Sequence, residues 1–120
     1  MAEHNQTGKA GEELAAAYLE EKGFEILEKN WRNRHHEIDI IAKKDFFLVI
    51  VEVKARSSMA FGTAGDFVGL KKQRNLINAA EAYIFAKNSD LETRFDIISI
   101  LLQGDKNVIE HIEWAFSPFD

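Results

Sequence analysis

Cysteine is absent from this chain, which excludes a disulfide framework, a thiol nucleophile and a Cys-ligated zinc site. Proline occurs once, at Pro118, and no Pro/Gly-rich linker, repeat or low-complexity stretch divides the remainder. No apolar run approaches the roughly 20 residues of a membrane span, and the polar N-terminal region has no signal-like apolar core. Neither insertion nor export is therefore expected, and the cytoplasm is the expected compartment. The 120 residues, 46 % hydrophobic and 29 % charged, suit one domain over residues 1–120, with residues 1–6 and 117–120 expected to fray.

A basic surplus is also missing. The net charge is −5, which taken alone argues against a nucleic-acid partner, because phosphates are held by cations. The distribution reverses that argument. Residues 29–74 hold ten Lys and Arg against five Asp and Glu, net +5, whereas the remainder holds five against fifteen, net −10. A locally positive region on an acidic protein still steers phosphate ligands.

Leu14, Ala17, Tyr18 and Glu21 recur at helical spacing and predict a helix from Thr7 to Lys22, with Thr7 as N-cap, Gly23 as its stop, and Ala10, Leu14 and Tyr18 on its inner face. Phe24 to Leu27 reads as a strand, as do the runs beginning at Glu37 and Phe46. Residues 57–66 form a Ser/Gly-containing loop of the kind that contacts substrate. Residues 69–86 form a second helix with Gln73, Ile77, Ala80 and Ile84 in register and Leu76, Ala79 and Tyr83 alongside. Arg94 to Leu102 and Val108 to Phe116 are the last strands, around a turn over residues 103–107. The order α-β-β-β-α-β-β implies a single α/β domain with a mixed β-sheet flanked by helices, its crossover right-handed.

The chemistry concentrates in the central hairpin, Glu37-Ile38-Asp39-Ile40-Ile41-Ala42 followed by Phe46 to Lys54. Strand side chains alternate faces, so Glu37 and Asp39 share one face, and Leu48, Ile50, Glu52 and Lys54 share another. Opposed residues of an antiparallel pair keep a constant index sum. Asp39 opposite Glu52 requires an even-numbered loop, either Asp45-Phe46 or Lys44 to Phe47, and both are ordinary hairpin lengths. Two opposed carboxylates repel each other unless a cation, a proton or an amine compensates.

That pattern suits metal-assisted phosphodiester hydrolysis. Magnesium takes oxygen ligands, keeps several waters and needs only one or two carboxylates, so Asp39 and Glu52 are the expected ligands of Mg2+ or Mn2+, with the Val53 carbonyl as a third. Lys54 would orient or deprotonate the attacking water, a role closed to arginine. Lys71, Lys72 and Arg74 start the second helix, where backbone N–H groups also point outward, and with Arg32, Arg34 and Arg56 are candidates for holding a nucleic-acid backbone.

Asp39 with Glu52-Val53-Lys54, after a helix bearing Gly11-Glu12-Glu13 and ending in Lys22-Gly23-Phe24, resembles the PD-(D/E)XK nuclease superfamily, in the branch containing archaeal Holliday-junction resolvases. More narrowly, Gly8-Lys9-Ala10-Gly11-Glu12, Lys29-Asn30-Trp31-Arg32, Glu37 to Ala42, Val51-Glu52-Val53-Lys54-Ala55-Arg56-Ser57 and Arg94-Phe95-Asp96 resemble the YraN-like family of small bacterial proteins, over nearly the whole chain. The resemblance implies a restriction-endonuclease-like fold, Asp39, Glu52 and Lys54 as the catalytic set, and Glu12 as a further acid of the metal site. It also implies structured or branched DNA as substrate and the pairing of two sites in a homodimer. The chain departs from the pattern at Ile38, where the superfamily motif has proline, and at His35-His36, where the family usually has Gly-Gly.

Several residues keep two readings. Glu37 either supports the acids or pairs with Arg34 or Lys54. Trp31 either stacks on a base or anchors the strands. His35 and His36 either touch phosphate or metal or are simply exposed, and Asp96 is either structural or chemical. The function expected is a metal-dependent endonuclease. The alternative is a non-catalytic nucleic-acid-binding or protein-interaction module on the same fold.

Overall fold

A computed structural model of the chain describes residues 2–57 and 68–118, with side chains from residue 8 onward. The elements are α1 (Ala2–Glu21), β1 (Glu25–Asn33), β2 (His36–Lys44), β3 (Phe47–Arg56), α2 (Leu70–Lys87), β4 (Glu92–Gln103) and β5 (Lys106–Phe116), the order expected from the sequence. The strands form one mixed sheet in the order β1-β2-β3-β4-β5. Only β3 and β4 run parallel, and α2 connects them.

The sheet is covered on both faces. Val49 and Val51 of β3 join Ala15, Ala16 and Leu19 of α1 in one buried cluster, while Leu48 and Ile50 join Leu76, Ala79, Ala80 and Tyr83 of α2 in the other. This is the strict alternation of a strand buried on both sides. Among the described residues no helix is long and apolar enough to cross a membrane.

Helix α1 begins at Ala2, so Thr7 lies inside it rather than at its N-cap. Its buried face is Gly11, Ala15, Ala16 and Leu19, not Ala10, Leu14 and Tyr18; Ala10 is exposed, and Leu14 and Tyr18 flank the contact. The reason is steric. A Cβ added at Gly11 would overlap the Ala55 Cβ, so α1 approaches β3 most closely where it has no side chain. Gly23 ends the turn at φ 93°, and the Phe24 N–H donates to the Leu19 carbonyl at 2.9 Å, closing the helix as a left-handed glycine cap does.

Strand β1 extends well past Leu27 because Trp31 packs edge-on against Tyr83 of α2, ring centroids 5.2 Å apart, and so serves as an anchor. Asn88 caps α2 in the left-handed region. Gln103 pairs with Lys106, which makes the last turn tighter than residues 103–107. Of the loop expected over residues 57–66, all but Ser57 lies outside the described residues.

Candidate active site at a fork in the sheet

The β2–β3 ladder runs from Lys44 opposite Phe47 to Ile40 opposite Val51, around the two-residue turn Asp45-Phe46. Asp45 takes φ 55°, and Phe46 sits in the turn, 82 % exposed, rather than in the strand. The next opposed pair in this register is Asp39 and Glu52, and there the pairing stops. Upstream, β2 continues on β1 alone, through Ile38 opposite Trp31 and Glu37 opposite Arg32. Downstream, β3 continues on β4 alone, from Glu52 opposite Ile97 to Arg56 opposite Leu101. The two central strands part at the acids, and the Val53 N–H, released from the ladder, donates to Asp39 Oδ2 at 2.9 Å.

Asp39 and Glu52 interact side chain to side chain, an interaction that lowers the Asp39 carboxyl and raises that of Glu52. Burial pushes the Glu52 carboxyl up to about 7; the Asp39 charge adds to the rise, and Lys72, with Nζ 3.5 Å from Glu52 Oε2, opposes it. Asp39 is raised as well, chiefly by burial, against the pull of the Val53 amide, the Glu52 hydrogen bond and Lys72. Glu12 reaches toward the pair from α1: burial and the Asp39 charge raise its carboxyl, and Asn30 donates a hydrogen bond to it. Glu13 next to it is exposed, so helix phase selects Glu12.

Lys54 follows on β3, half-buried and paired in register with Ser99. Strand rise places it about 7 Å beyond Glu52 on the same face. Among the expected backbone-binding cations, Lys72 enters the site itself. Arg34 is exposed in the β1–β2 turn at φ 60°, Arg56 ends β3, and Lys71 and Arg74 are exposed on α2. Because β2 and β3 are antiparallel, the start of β2 and the end of β3 lie at one end of the sheet. The Lys72–Glu52 contact brings the start of α2 to that end too. Glu37 pairs with Arg32 at 3.3 Å, both exposed. Among the described residues, no group of three or more His, Asp and Glu side chains forms a preassembled metal cage.

Asn30 and the contact of Lys72 with Glu52 had no assigned role in the sequence reading. Asn30 sits inside β1 at φ 53°, a polar residue poorly suited to a strand in a conformation asparagine tolerates, and that mismatch was a readable signal. Asp96 is buried on the other face of the sheet, bonded to Arg94, His111 and the Trp114 amide.

The chain is thus a mixed α/β protein whose sheet divides at a partly buried carboxyl pair. The chain belongs to Uncharacterised protein family UPF0102, whose model matches residues 11–100. It is similar to UPF0102 proteins of Flavobacterium johnsoniae, 49 % identical over 99 % of this chain and 100 % of the relative, and of Flavobacterium psychrophilum, 50 % identical over the same shares. The UPF0102 protein of Bacteroides thetaiotaomicron is 48 % identical over 98 % of each chain.

Proposed function

We propose that this protein is a Mg2+- or Mn2+-dependent endonuclease that hydrolyses phosphodiesters of structured or branched DNA. The observation that carries the reading is the partly buried Asp39–Glu52 pair at the fork, two carboxyls brought together where a strand pairing ends, with Lys72 and the Val53 amide beside them. A divalent cation held by Asp39 and Glu52 would offset both carboxylate charges. The donor set suits magnesium, which needs few protein oxygens and keeps its waters, better than zinc, which takes a closed cage. In a strand, the N–H and C=O of one residue point to the same edge, so the Val53 carbonyl faces the fork beside the amide that holds Asp39. Glu12, which feels the Asp39 charge from α1, would join the set only by moving in when the cation binds.

Bound there, the cation would stabilise charge on the phosphoryl oxygens and acidify a water. Lys54, on the Glu52 face, is placed to orient that water or accept its proton. Arg32, Arg34, Arg56, Lys71 and Arg74 hold backbone phosphates, and Lys72 stands between them and the carboxyls. A homodimer, as the resemblance implies, would present two forks to the two strands of a branch; sedimentation with and without junction DNA tests it.

The deciding experiment is a cleavage panel of four-way junctions, flaps, single strands and duplex with Mn2+ or EDTA. Cleavage should need the metal, and Asp39→Asn should abolish both cleavage and metal binding. Activity that survives both Asp39→Asn and Glu52→Gln overturns the reading. The cations grouped at the fork would hold nucleic acid whether or not the acids cut it, so a non-catalytic nucleic-acid-binding module is the second reading. Metal and DNA binding without cleavage of any substrate would establish it.

A further inference from the structure

Beside the fork, the β1–β2 turn and α2 enclose a polar cleft of about 200 Å³ lined by His35, His36, Glu37, Lys72, Asn75 and Asn78. Lys72 joins it to the carboxyl pair, since the same side chain lines the cleft and contacts Glu52 at 3.5 Å. Lys72, Asn75 and Asn78 follow one another at three-residue spacing and so stand along one side of α2. Buried Leu76 adds an apolar surface between them.

The lining has the chemistry of a nucleobase site. Each carboxamide presents a donor and an acceptor side by side, the arrangement that pairs with the edge of a base. Glu37 accepts from exocyclic amines. The His35 and His36 rings, centroids 4.6 Å apart, offer flat faces for stacking. At about 200 Å³ the cleft is smaller than the roughly 300–1,000 Å³ of sites for drug-sized ligands, and one planar ring system suits it better than a longer segment. A base paired inside a duplex cannot reach such a cleft without leaving the stack.

We propose that this cleft takes the base of one unpaired nucleotide adjacent to the phosphate at Asp39 and Glu52. The preferred substrate is then DNA with an unpaired nucleotide at the cut, not flush duplex. The inference rests on the nuclease reading for its neighbouring phosphate, and its test separates the two. A duplex carrying a single-nucleotide bulge is made with 2-aminopurine, adenine or an abasic residue at the bulge, and binding is read in Ca2+.

The 2-aminopurine fluorescence should change on binding, and the abasic bulge should bind roughly tenfold more weakly than the adenine bulge. In the Asn75→Ala/Asn78→Ala double variant both differences should vanish while the thermal midpoint, a check on folding, stays in place. Equal binding of abasic and adenine bulges by the unaltered protein, with no fluorescence change, overturns the proposal. Base-dependent binding without cleavage in Mn2+ supports the cleft and overturns the nuclease reading. Cleavage that ignores the base overturns the cleft alone.

Discussion

Two carboxyl clusters, one buried at Asp96 and one partly buried at Asp39 and Glu52, lie one register step apart on opposite faces of the same sheet, and they are opposites electrostatically. Asp96 pairs with Val51 across β3–β4 and faces α1, while Glu52, next to Val51, faces α2. Burial raises the Asp96 carboxyl, but His111 at 2.7 Å, Arg94 at 2.8 and 2.9 Å and the Trp114 amide at 3.1 Å outweigh it, and the group ends below its ordinary range. Glu52 and Asp39 have Lys72, the Val53 amide and each other, and both end above it. Donor supply, not burial, separates them. A bulge in β5 next to Phe95 and Ile97, with Trp114 at φ 54°, turns an amide toward Asp96, whereas the fork removes strand partners from the Asp39–Glu52 pair. A saturated carboxylate ties strands together; an under-supplied pair is where a cation binds.

The contrast can be broken most sharply in activity. Asp39→Asn or Glu52→Gln should lower Mn2+-dependent nicking by roughly 10³-fold, measured on the best substrate of the cleavage panel. In stability the order should invert. Asp96→Ala leaves Arg94, which is only 6 % exposed, with the half-exposed Glu113 at 3.5 Å as its remaining ion-pair partner and should cost about 3 kcal/mol in urea unfolding, while Glu52→Gln costs little or stabilises the metal-free protein.

The pH dependence should run in opposite directions for the two clusters. With its folded value lowered, Asp96 contributes stability above its unfolded value, and that contribution is lost as acid protonates it. With its folded value raised from 4.5 to about 7, Glu52 makes the metal-free protein less stable as pH rises across that window, by at most about 3 kcal/mol. Thermal midpoints across the window should flatten in Glu52→Gln, and Mn2+ affinity of the unaltered protein should climb over the same range. Gly11→Ala tests the helix that delivers Glu12. Its Cβ overlaps Ala55, so a loss of about 1–3 kcal/mol is expected, with weaker Mn2+ binding as α1 shifts.

Much of this was readable from residue order. The index sum through Asp39 and Glu52 required an even loop, and the ladder from Lys44–Phe47 to Ile40–Val51 has that register. Of the inner face expected for α1, Leu14 and Tyr18 pack at the edge of the core and Ala10 is exposed, because the close approach to β3 is made by Gly11 and Ala15. Glu37 went to Arg32 because the β1–β2 register sets the two opposite each other, a pairing hidden until the end of β1 was known.

Sequence alone determined what is local: element order, hairpin register and the positive segment around the acids. Those follow from backbone periodicity and loop parity, which need no knowledge of distant partners. Tertiary structure decided where pairing ends. Only the assembled sheet shows β2 leaving with β1 while β3 stays with β4, opening the fork in which two acids are buried with too few donors. Only packing brings Lys72 and Glu12 to it from two helices and gives Asp96 its full set of partners, because long-range register and burial arise together when the chain folds.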